Sequence, residues 1–334
     1  MGIRIAINGF GRIGRAAFKV ALEKKGVEVV ALNDLTDTKT LAHLLQYDTA
    51  YGVFPKKVTH TDSAIVVEGK TYPVFSEKEP ANLPWKKLKV DVVIESTGHF
   101  LSQEKAQLHI DAGAKRVVIS APPKGGEVQT FVMGVNSDAL GNQTIVSNAS
   151  CTTNCIAPAA QVLQEAFGIK KAMMTTIHSY TADQNLVDGP HKDLRRARAA
   201  AVNIVPTTTG AAIATAETIP ALKGKFDGLA VRVPTLVGSL SDMTVLLNRT
   251  VTVDEVNEAF RKAAAESRFA GVMTVTEDPI VSSDIVGNPH ASIIDLSLTK
   301  VVDGNLVKVI AWYDNEWGYS HTLVQLALEI MGSA

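Results

Sequence analysis

The stretch that decides the first half of the fold is Ile3-Arg4-Ile5-Ala6-Ile7-Asn8-Gly9-Phe10-Gly11-Arg12-Ile13-Gly14, followed by a helical pattern from Arg15 to Lys25 and a second apolar run from Val27 to Asn33. An apolar strand, a glycine turn, a helix stopped by Gly26 and another strand make a βαβ unit. The three glycines stand at GxGxxG spacing and each has a separate task. One permits the tight turn, one lets backbone approach a pyrophosphate, and one allows the helix to pack closely on the strand. The pyrophosphate then rests on a helix N-terminus, whose N–H groups have no helical partner. Asp34 ends the second strand, about 20 residues on, where an acid accepts from an adenosine ribose and repels a 2′-phosphate. NAD is therefore expected over NADP.

Working outward, the region from Thr36 to Pro84 is looser, with a helix expected around Lys39 to Gln46 and hairpin strands Ala64 to Glu68 and Lys70 to Val74 flanking Gly69. Val90 to Ser96 is nearly all apolar and ends in Thr97-Gly98, as expected of a parallel strand buried on both faces beside the cofactor crevice. A helix over Leu101 to Ala112 and strands over Arg116 to Ser120, Phe131 to Val135 and Gln143 to Val146 continue the alternation. After Gly168 the pattern changes. Strands are expected at Ala172 to Ile177, Leu229 to Pro234, Ser241 to Leu247, Ala291 to Leu298 and Leu306 to Tyr313, with helices at Thr207 to Thr218 and Val253 to Ser267. Ser179 to Pro206 has little regular pattern, and unstructured stretches of that length inside a domain are usually functional. The expected fold class is α/β: a Rossmann-type parallel-sheet domain over 1–150 and an α+β catalytic domain over 151–315 with a mostly antiparallel sheet. A closing helix within 316–334 returns to the first domain.

With 334 residues and 46% hydrophobic composition the chain can bury two cores. A net charge of -1 gives no global drive toward nucleic acid or anionic membrane, so any anion site must be local. No apolar run approaches the ~20 residues that span a bilayer, and the opening residues lack a basic-then-apolar leader, so the cytoplasm is expected. Only two cysteines are present, Cys151 and Cys155, which excludes a disulfide framework and suits a reducing compartment. No histidine or further cysteine stands near them in sequence, so no metal is expected.

The chemistry centres on Ser147-Asn148-Ala149-Ser150-Cys151-Thr152-Thr153-Asn154-Cys155. Ser150 has the side chain of an N-cap and Cys151 falls at the first helical position. Unpartnered N–H groups there favour thiolate, and a free cysteine of pKa about 8.5 can fall to roughly 3.5 to 7.5 in such a place. A buried structural cysteine is the competing reading. A thiol nucleophile needs a base, and His178, at the end of an apolar strand, is the best candidate among the eight histidines. His43, His60, His99, His109 and His321 read as structural or solvated. Arg232 interrupts an apolar strand, a costly position for a charge unless it is paired or faces a ligand. With Thr181, Thr152 and Thr209-Gly210 it can supply donors to phosphate groups. The basic run from His191 to Arg198 reads as a solvated face or an oligomer contact.

INGFGRIGR, Asn33-Asp34, STGHF (Ser96 to Phe100), SNASCTTNC, HSYT (His178 to Thr181), HKDLRRARAAA, TTTGAA, RVPT and WYDNEWGYS (Trp312 to Ser320) together resemble phosphorylating glyceraldehyde-3-phosphate dehydrogenase, from the first strand to the last helix. The resemblance implies a homotetramer in which Cys151 is the nucleophile and His178 the base. It implies that Arg12 and Ile13 lie at the pyrophosphate, Asp34 at the ribose and Asn315 at the nicotinamide carboxamide. Asn8, Gly9, Gly11, Gly14, Thr97, Gly98, Ser120 and Tyr319 complete the cofactor set. Thr181 and Arg232 would hold the substrate phosphate, and Ser150, Thr152, Arg196, Thr209 and Gly210 the attacking inorganic phosphate. One departure from the family's commonest pattern, Leu236 to Thr244, is expected to alter packing rather than chemistry. The implied reaction turns glyceraldehyde 3-phosphate, inorganic phosphate and NAD into an acyl phosphate through a cysteine thioester. An erythrose-4-phosphate or semialdehyde dehydrogenase, and an NAD-linked thiol redox sensor, are the rival readings. Neither nucleic acid nor membrane is an expected partner.

Overall fold

In the computed structural model, which describes residues 2–332, the chain divides into two compact units. Within the described residues the first gathers 2–131, 139–149 and 320–332, and the second 132–138 and 150–319. Met1, and residues 333–334 of the expected closing helix, lie outside the described residues.

The first unit is built on a nine-stranded sheet ordered Gln129–Thr130, Ile145–Ser147, Arg116–Ile119, Val92–Glu95, Ile3–Asn8, Val27–Asn33, Lys70–Phe75, Ala64–Val67 and Val58–Thr61. All pairings up to Lys70–Phe75 are parallel, and the last two are antiparallel. The chain runs from Ile3–Asn8 first to Val27–Asn33 on one side and later to Val92–Glu95 on the other. That reversal is the switch point of a doubly wound sheet, where a crevice opens outside the carboxyl ends of the strands. In register, Asn8 lies between Asn33 and Glu95. The strands are buried among Ala6, Ala31, Val93, Val117 and Trp85, which explains why they read as continuous apolar runs. Asn148 Nδ2 donates to Thr322 Oγ1 (3.2 Å), tying the helix Trp317–Gly332 into this unit beyond Tyr319.

The second unit has a mixed seven-stranded sheet, ordered Val205–Thr208, Phe226–Val233, Ile169–Ser179, Ser239–Leu247, Leu306–Tyr313, Ser292–Val302 and Met273–Thr276. Two pairings are parallel, Ile169–Ser179 with Phe226–Val233 and Met273–Thr276 with Ser292–Val302, and the other four are antiparallel. Burial alternates residue by residue along Ser239–Leu247, so one face of the sheet is covered. The covering helices are Cys151–Phe167, Ala211–Thr218 and Val253–Ala264, whose Cys155, Leu163, Ala212 and Phe260 share a core with Met174, Val245 and Val309.

The structure departs from the sequence pattern in places with clear causes. Phe131 to Val135 forms no strand. The chain turns at Gly134 (φ +76°), and Asn136 Oδ1 accepts from Val132 N (2.8 Å), while Phe131, Val132 and Met133 are buried for packing alone. Apolar runs of that length do not distinguish the two uses. Thr207 and Thr208 belong to an edge strand rather than to the helix, which begins at Ala211, as β-branched side chains on a pleated surface favour. The strand Val58–Thr61 has three exposed residues and therefore left no apolar signal.

Candidate active site

The glycine turn can be tested residue by residue. A Cβ on Gly14 would lie 2.0 Å from the Gly9 carbonyl oxygen, and one on Gly9, at φ +91°, would lie 2.7 Å from Thr97 N. Both glycines are demanded by the fold. Gly11 is not: its φ is −72°, and a Cβ there would meet nothing within 4 Å. An open, side-chain-free position at the first turn of Arg12–Glu23, where Arg12 and Ile13 follow, is suited to a ligand that closes on the backbone. Asp34 is held beside it by Phe10 N (2.7 Å, to Oδ2) and Thr36 N (2.9 Å, to Oδ1), which leaves further lone pairs for hydroxyl groups. A cavity of about 490 Å³ is lined by Asn8, Gly9, Gly11, Asn33, Asp34, Glu77, Lys78, Ser96, Thr97 and His99 among others. It unites four residues of the expected cofactor set with Asp34, and adds Glu77 and Lys78, which carried no motif of their own, and His99, which belongs to STGHF but was expected to be structural or solvated. Gly98 (φ +77°) follows in the same loop, and Ser120 N donates to Glu95 O (2.9 Å) at the next strand end. The guanidinium of Arg12 is anchored by Asp48 (2.9 Å).

In the second unit Ser150 caps the helix Cys151–Phe167, its Oγ accepting from Thr153 N (3.1 Å), so Cys151 occupies the first helical position as expected. His178 comes from Ile169–Ser179, and its Nε2 lies 3.4 Å from Cys151 Sγ. His178 Nδ1 lies 2.6 Å from the Ser179 carbonyl oxygen, which can only accept, and 3.1 Å from Arg232 Nη1, which can only donate. The shorter contact, and the Ser179 carbonyl and Thr181 hydroxyl that Arg232 Nη1 has as acceptors of its own, assign the proton to Nδ1. Nε2 then presents its lone pair to the thiol. Burial, then the charge of Arg232, push the His178 pKa down to about 3, so the ring is a neutral acceptor. The thiol departs from the expectation of a readily formed thiolate. Burial pushes Cys151 up, while Arg232 and hydrogen bonds from Thr152 and the Cys151 backbone oppose that rise. Helix position alone was an incomplete guide because it ignored desolvation. His178 Nε2 is therefore placed to take the thiol proton in concert with attack of the sulfur, rather than to hold a resting thiolate.

Arg232 reaches this pair because parallel register sets it opposite His178. Its Nη1 donates to Ser179 O (3.1 Å) and Thr181 Oγ1 (3.3 Å), and no carboxylate pairs with it among the described residues. Its buried Nε has no partner. A desolvated guanidinium without a counter-ion suits an anionic ligand. Arg196 is the reverse case. Asp183 takes its Nη1, Thr207 Oγ1 its Nε (2.9 Å) and Thr208 O its Nη2 (3.1 Å), with Asp193 3.7 Å away. Asp188 pairs with Arg198 (2.8 Å), so two arginines of the basic run have carboxylate partners. Thr209 Oγ1 accepts from Ala211 N (3.2 Å), and Gly210 caps the helix Ala211–Thr218. The Thr152 hydroxyl is turned inward to Tyr313 OH (2.9 Å), so its backbone N–H is what it can offer an anion.

Two supporting residues have no role in the sequence patterns, although Tyr313 stands within WYDNEWGYS. Tyr313 packs edge-on against the His178 ring (5.8 Å between centroids) and joins Thr152 to Thr176 through its hydroxyl (2.9 and 2.7 Å). Ser239 Oγ accepts from Ser179 N (3.1 Å) and donates to Asn315 Oδ1 (2.9 Å), which also accepts from Gly238 N (3.2 Å). The Asn315 amide is thereby oriented with Nδ2 as its remaining donor. Gly238 and Ser239 lie in the segment expected to affect packing only, so its polar contacts are a correction. Tyr319 is buried near the start of the closing helix. Among the described residues no group of three His, Cys, Asp or Glu side chains is placed to hold a metal ion.

A dinucleotide crevice in one unit, and in the other a cysteine–histidine pair beside an arginine with no carboxylate partner, suit a nicotinamide-nucleotide oxidoreductase. Residues 3–103 match the family model described as the NAD binding domain of glyceraldehyde 3-phosphate dehydrogenase, and residues 150–315 match that of its C-terminal domain. Curated relatives named glyceraldehyde-3-phosphate dehydrogenase are 57% identical in Streptomyces coelicolor and 56% in Mycobacterium tuberculosis, over 98% of each chain. In Geobacillus stearothermophilus the relative so named is 53% identical over 99% of this chain and 98% of its own. The chain belongs to the glyceraldehyde-3-phosphate dehydrogenase family and is an NAD-dependent oxidoreductase of glycolysis.

Proposed function

We propose that the protein oxidises glyceraldehyde 3-phosphate and conserves the energy as the acyl phosphate 1,3-bisphosphoglycerate, with Cys151 as nucleophile and His178 as its base. The observation that carries this reading is the 3.4 Å approach of Cys151 Sγ to the lone-pair side of His178, beside an Arg232 that has no carboxylate partner. Cys151 gives its proton to Nε2 and its sulfur attacks the aldehyde carbon. The oxyanion that forms is stabilised by backbone N–H groups at the helix start and by the protonated His178, and takes up the proton as a hemithioacetal. NAD, when bound, supplies the hydride acceptor. As the hydride leaves, His178 takes the hydroxyl proton and the carbon becomes a thioester on Cys151. An oxygen of inorganic phosphate then attacks the thioester carbon, the C–S bond breaks, and the sulfur leaves as thiolate to be reprotonated.

Arg232 and Thr181 are the proposed grip on the substrate phosphate. Ser150, Thr152, Thr209, Gly210 and Arg196 are the proposed grip on inorganic phosphate, with Arg196 acting from within its Asp183 and Asp193 pairs. Asn315 Nδ2 is proposed to hold the nicotinamide carboxamide. On the nucleotide side, Gly11, Arg12, Ile13 and Asp34 are proposed to hold the pyrophosphate and ribose. A homotetramer is supported by Leu186, Val187, Leu194, Val202 and Ile204, each at least 70% exposed in the stretch after His178, more aliphatic surface than a monomer ordinarily leaves wet. The cytoplasm is proposed because both cysteines are free thiols; no helix of the described residues is long and apolar enough to cross a membrane. Steady-state NADH formation from glyceraldehyde 3-phosphate, erythrose 4-phosphate and a semialdehyde, each with and without phosphate, tests the substrate. A preference for either rival aldehyde overturns it.

A further inference from the structure

We propose that a buried hydrogen-bonded row, Trp85–His109–Glu95, positions Asn8 and Thr97 at the floor of the nucleotide crevice and so sets the affinity for NAD; this deepens, and rests on, the NAD reading of that crevice. Trp85 opens the short helix Trp85–Leu88, His109 lies on the helix Gln103–Asp111, and Glu95 ends the strand Val92–Glu95. All three are fully buried. The indole Nε1–H of Trp85 is a donor only and lies 3.0 Å from His109 Nδ1, which must therefore accept. The proton of the imidazole is fixed on Nε2, and it points at Glu95 Oε2, 3.0 Å away. Asn8 Nδ2 donates to the same oxygen (2.6 Å), and Thr97 donates to Oε1 through both N (2.8 Å) and Oγ1 (2.5 Å). Four donors thus converge on one carboxylate.

The row continues across the sheet. Asn8 Oδ1 accepts from Asn33 Nδ2 (2.6 Å), and Asn33 exchanges hydrogen bonds with the Glu77 backbone (2.9 and 3.0 Å). Asn8, Asn33, Glu77 and Thr97 all line the crevice, at the carboxyl ends of neighbouring parallel strands. Packing alone gives no reason for it, since apolar residues of similar volume commonly stabilise as well as a buried ion does. A carboxylate that collects donors from a strand end, a loop and a helix does fix their side chains in one arrangement. Preorganisation of this kind lowers the ordering cost of binding. Glu95 and His109 are then positioning residues, acting on the cofactor through Asn8 and Thr97.

Two variants separate the hydrogen bonds from the packing. His109→Leu keeps the volume apolar and removes both bonds, whereas His109→Gln retains a donor toward Glu95 and an acceptor for Trp85. NAD binding to the full-length protein is measured by isothermal titration, alongside steady-state kinetics and the rate of Cys151 alkylation. His109→Leu is expected to weaken NAD about tenfold, the scale of one hydrogen bond to a charged group. KM for NAD should rise in proportion, with kcat and Cys151 alkylation held within about twofold, and His109→Gln should regain most of the affinity. An unchanged Kd in His109→Leu, or equal weakening in both variants, overturns the proposal. If His109→Leu does not fold, Trp85→Phe carries the test. It frees the tautomer of His109 and should weaken NAD about threefold, again with kcat held; an unchanged Kd there overturns it. Failure of the unmodified protein to bind NAD would instead remove the nucleotide reading itself.

Discussion

Replacing each glycine of the first turn by alanine should produce three different outcomes, because the three positions differ in what a methyl group would meet. At Gly14 the new Cβ would stand 2.0 Å from the Gly9 carbonyl oxygen, a backbone atom that cannot swing aside. Overpacking commonly costs about 1–3 kcal/mol and a clash this close belongs at or above the top of that range. For a unit of this size that is a fall in Tm of roughly 6–12 °C. Gly9→Ala combines a 2.7 Å approach to Thr97 N with φ +91° and should lose a similar amount. Gly11→Ala meets nothing and sits at φ −72°, so its fold should survive within about 1 kcal/mol, the small loss of a helix cap being offset by a stiffer unfolded chain. Its methyl group would nevertheless occupy the place proposed for the pyrophosphate, and NAD affinity should fall at least about 100-fold, equivalent to roughly 2.8 kcal/mol. Scanning calorimetry reports the first quantity and isothermal titration the second. A Gly11→Ala protein that is stable and binds NAD normally would refute the seat at the helix N-terminus.

His178→Asn should slow the chemical step by roughly 10² to 10⁴ in single-turnover stopped flow, and unchanged hydride transfer would remove His178 from its role. The same substitution should flatten the acid limb of stability. Folded His178 has a pKa of about 3 against 6.5 ordinarily. Its neutral burial therefore contributes full stability above pH 6.5, lost as pH falls toward 3 at up to about 1.4 kcal/mol per pH unit. Denaturant titrations across that window should show the slope in the parent and a shallower one in the variant. Ser239→Ala frees the Asn315 amide and should raise KM for NAD several-fold while Cys151 alkylation stays unchanged; equal KM values would show that Asn315 needs no such anchor. Arg232→Lys should raise KM for the phosphorylated aldehyde about tenfold or more, because an ammonium cannot reproduce the contacts of a guanidinium; an unchanged KM would detach Arg232 from the substrate phosphate.

How much of this was legible in the sequence depends on the distance over which each signal acts. Local patterns were read well: Ile3–Asn8, the Ser150 cap and Cys151 at the helix start depend on neighbours within a few residues. Strand register was not legible from the residues themselves. Nothing near His178 indicates that parallel register will set Arg232 beside it, or that Ser179 will lend its carbonyl to fix the tautomer. Desolvation of the thiol is likewise a property of the packed unit and not of the helix end, so it has no signal in the sequence. Tyr313 and Ser239 act through hydroxyl groups on strands far from Cys151 in the chain. His109 looked like one more core histidine until Trp85 and Glu95, 24 and 14 residues away, were seen on either side of its ring.

In the proposed cycle oxidation deposits the acyl group on Cys151, and phosphate alone carries it off. Mixing the protein with NAD and glyceraldehyde 3-phosphate in phosphate-free buffer, in a stopped-flow spectrometer, tests it most directly. The expected result is a burst of one NADH per subunit that then stalls, full turnover when phosphate is added, and no burst from Cys151→Ser. Sustained turnover without phosphate, or a burst from Cys151→Ser, would contradict it.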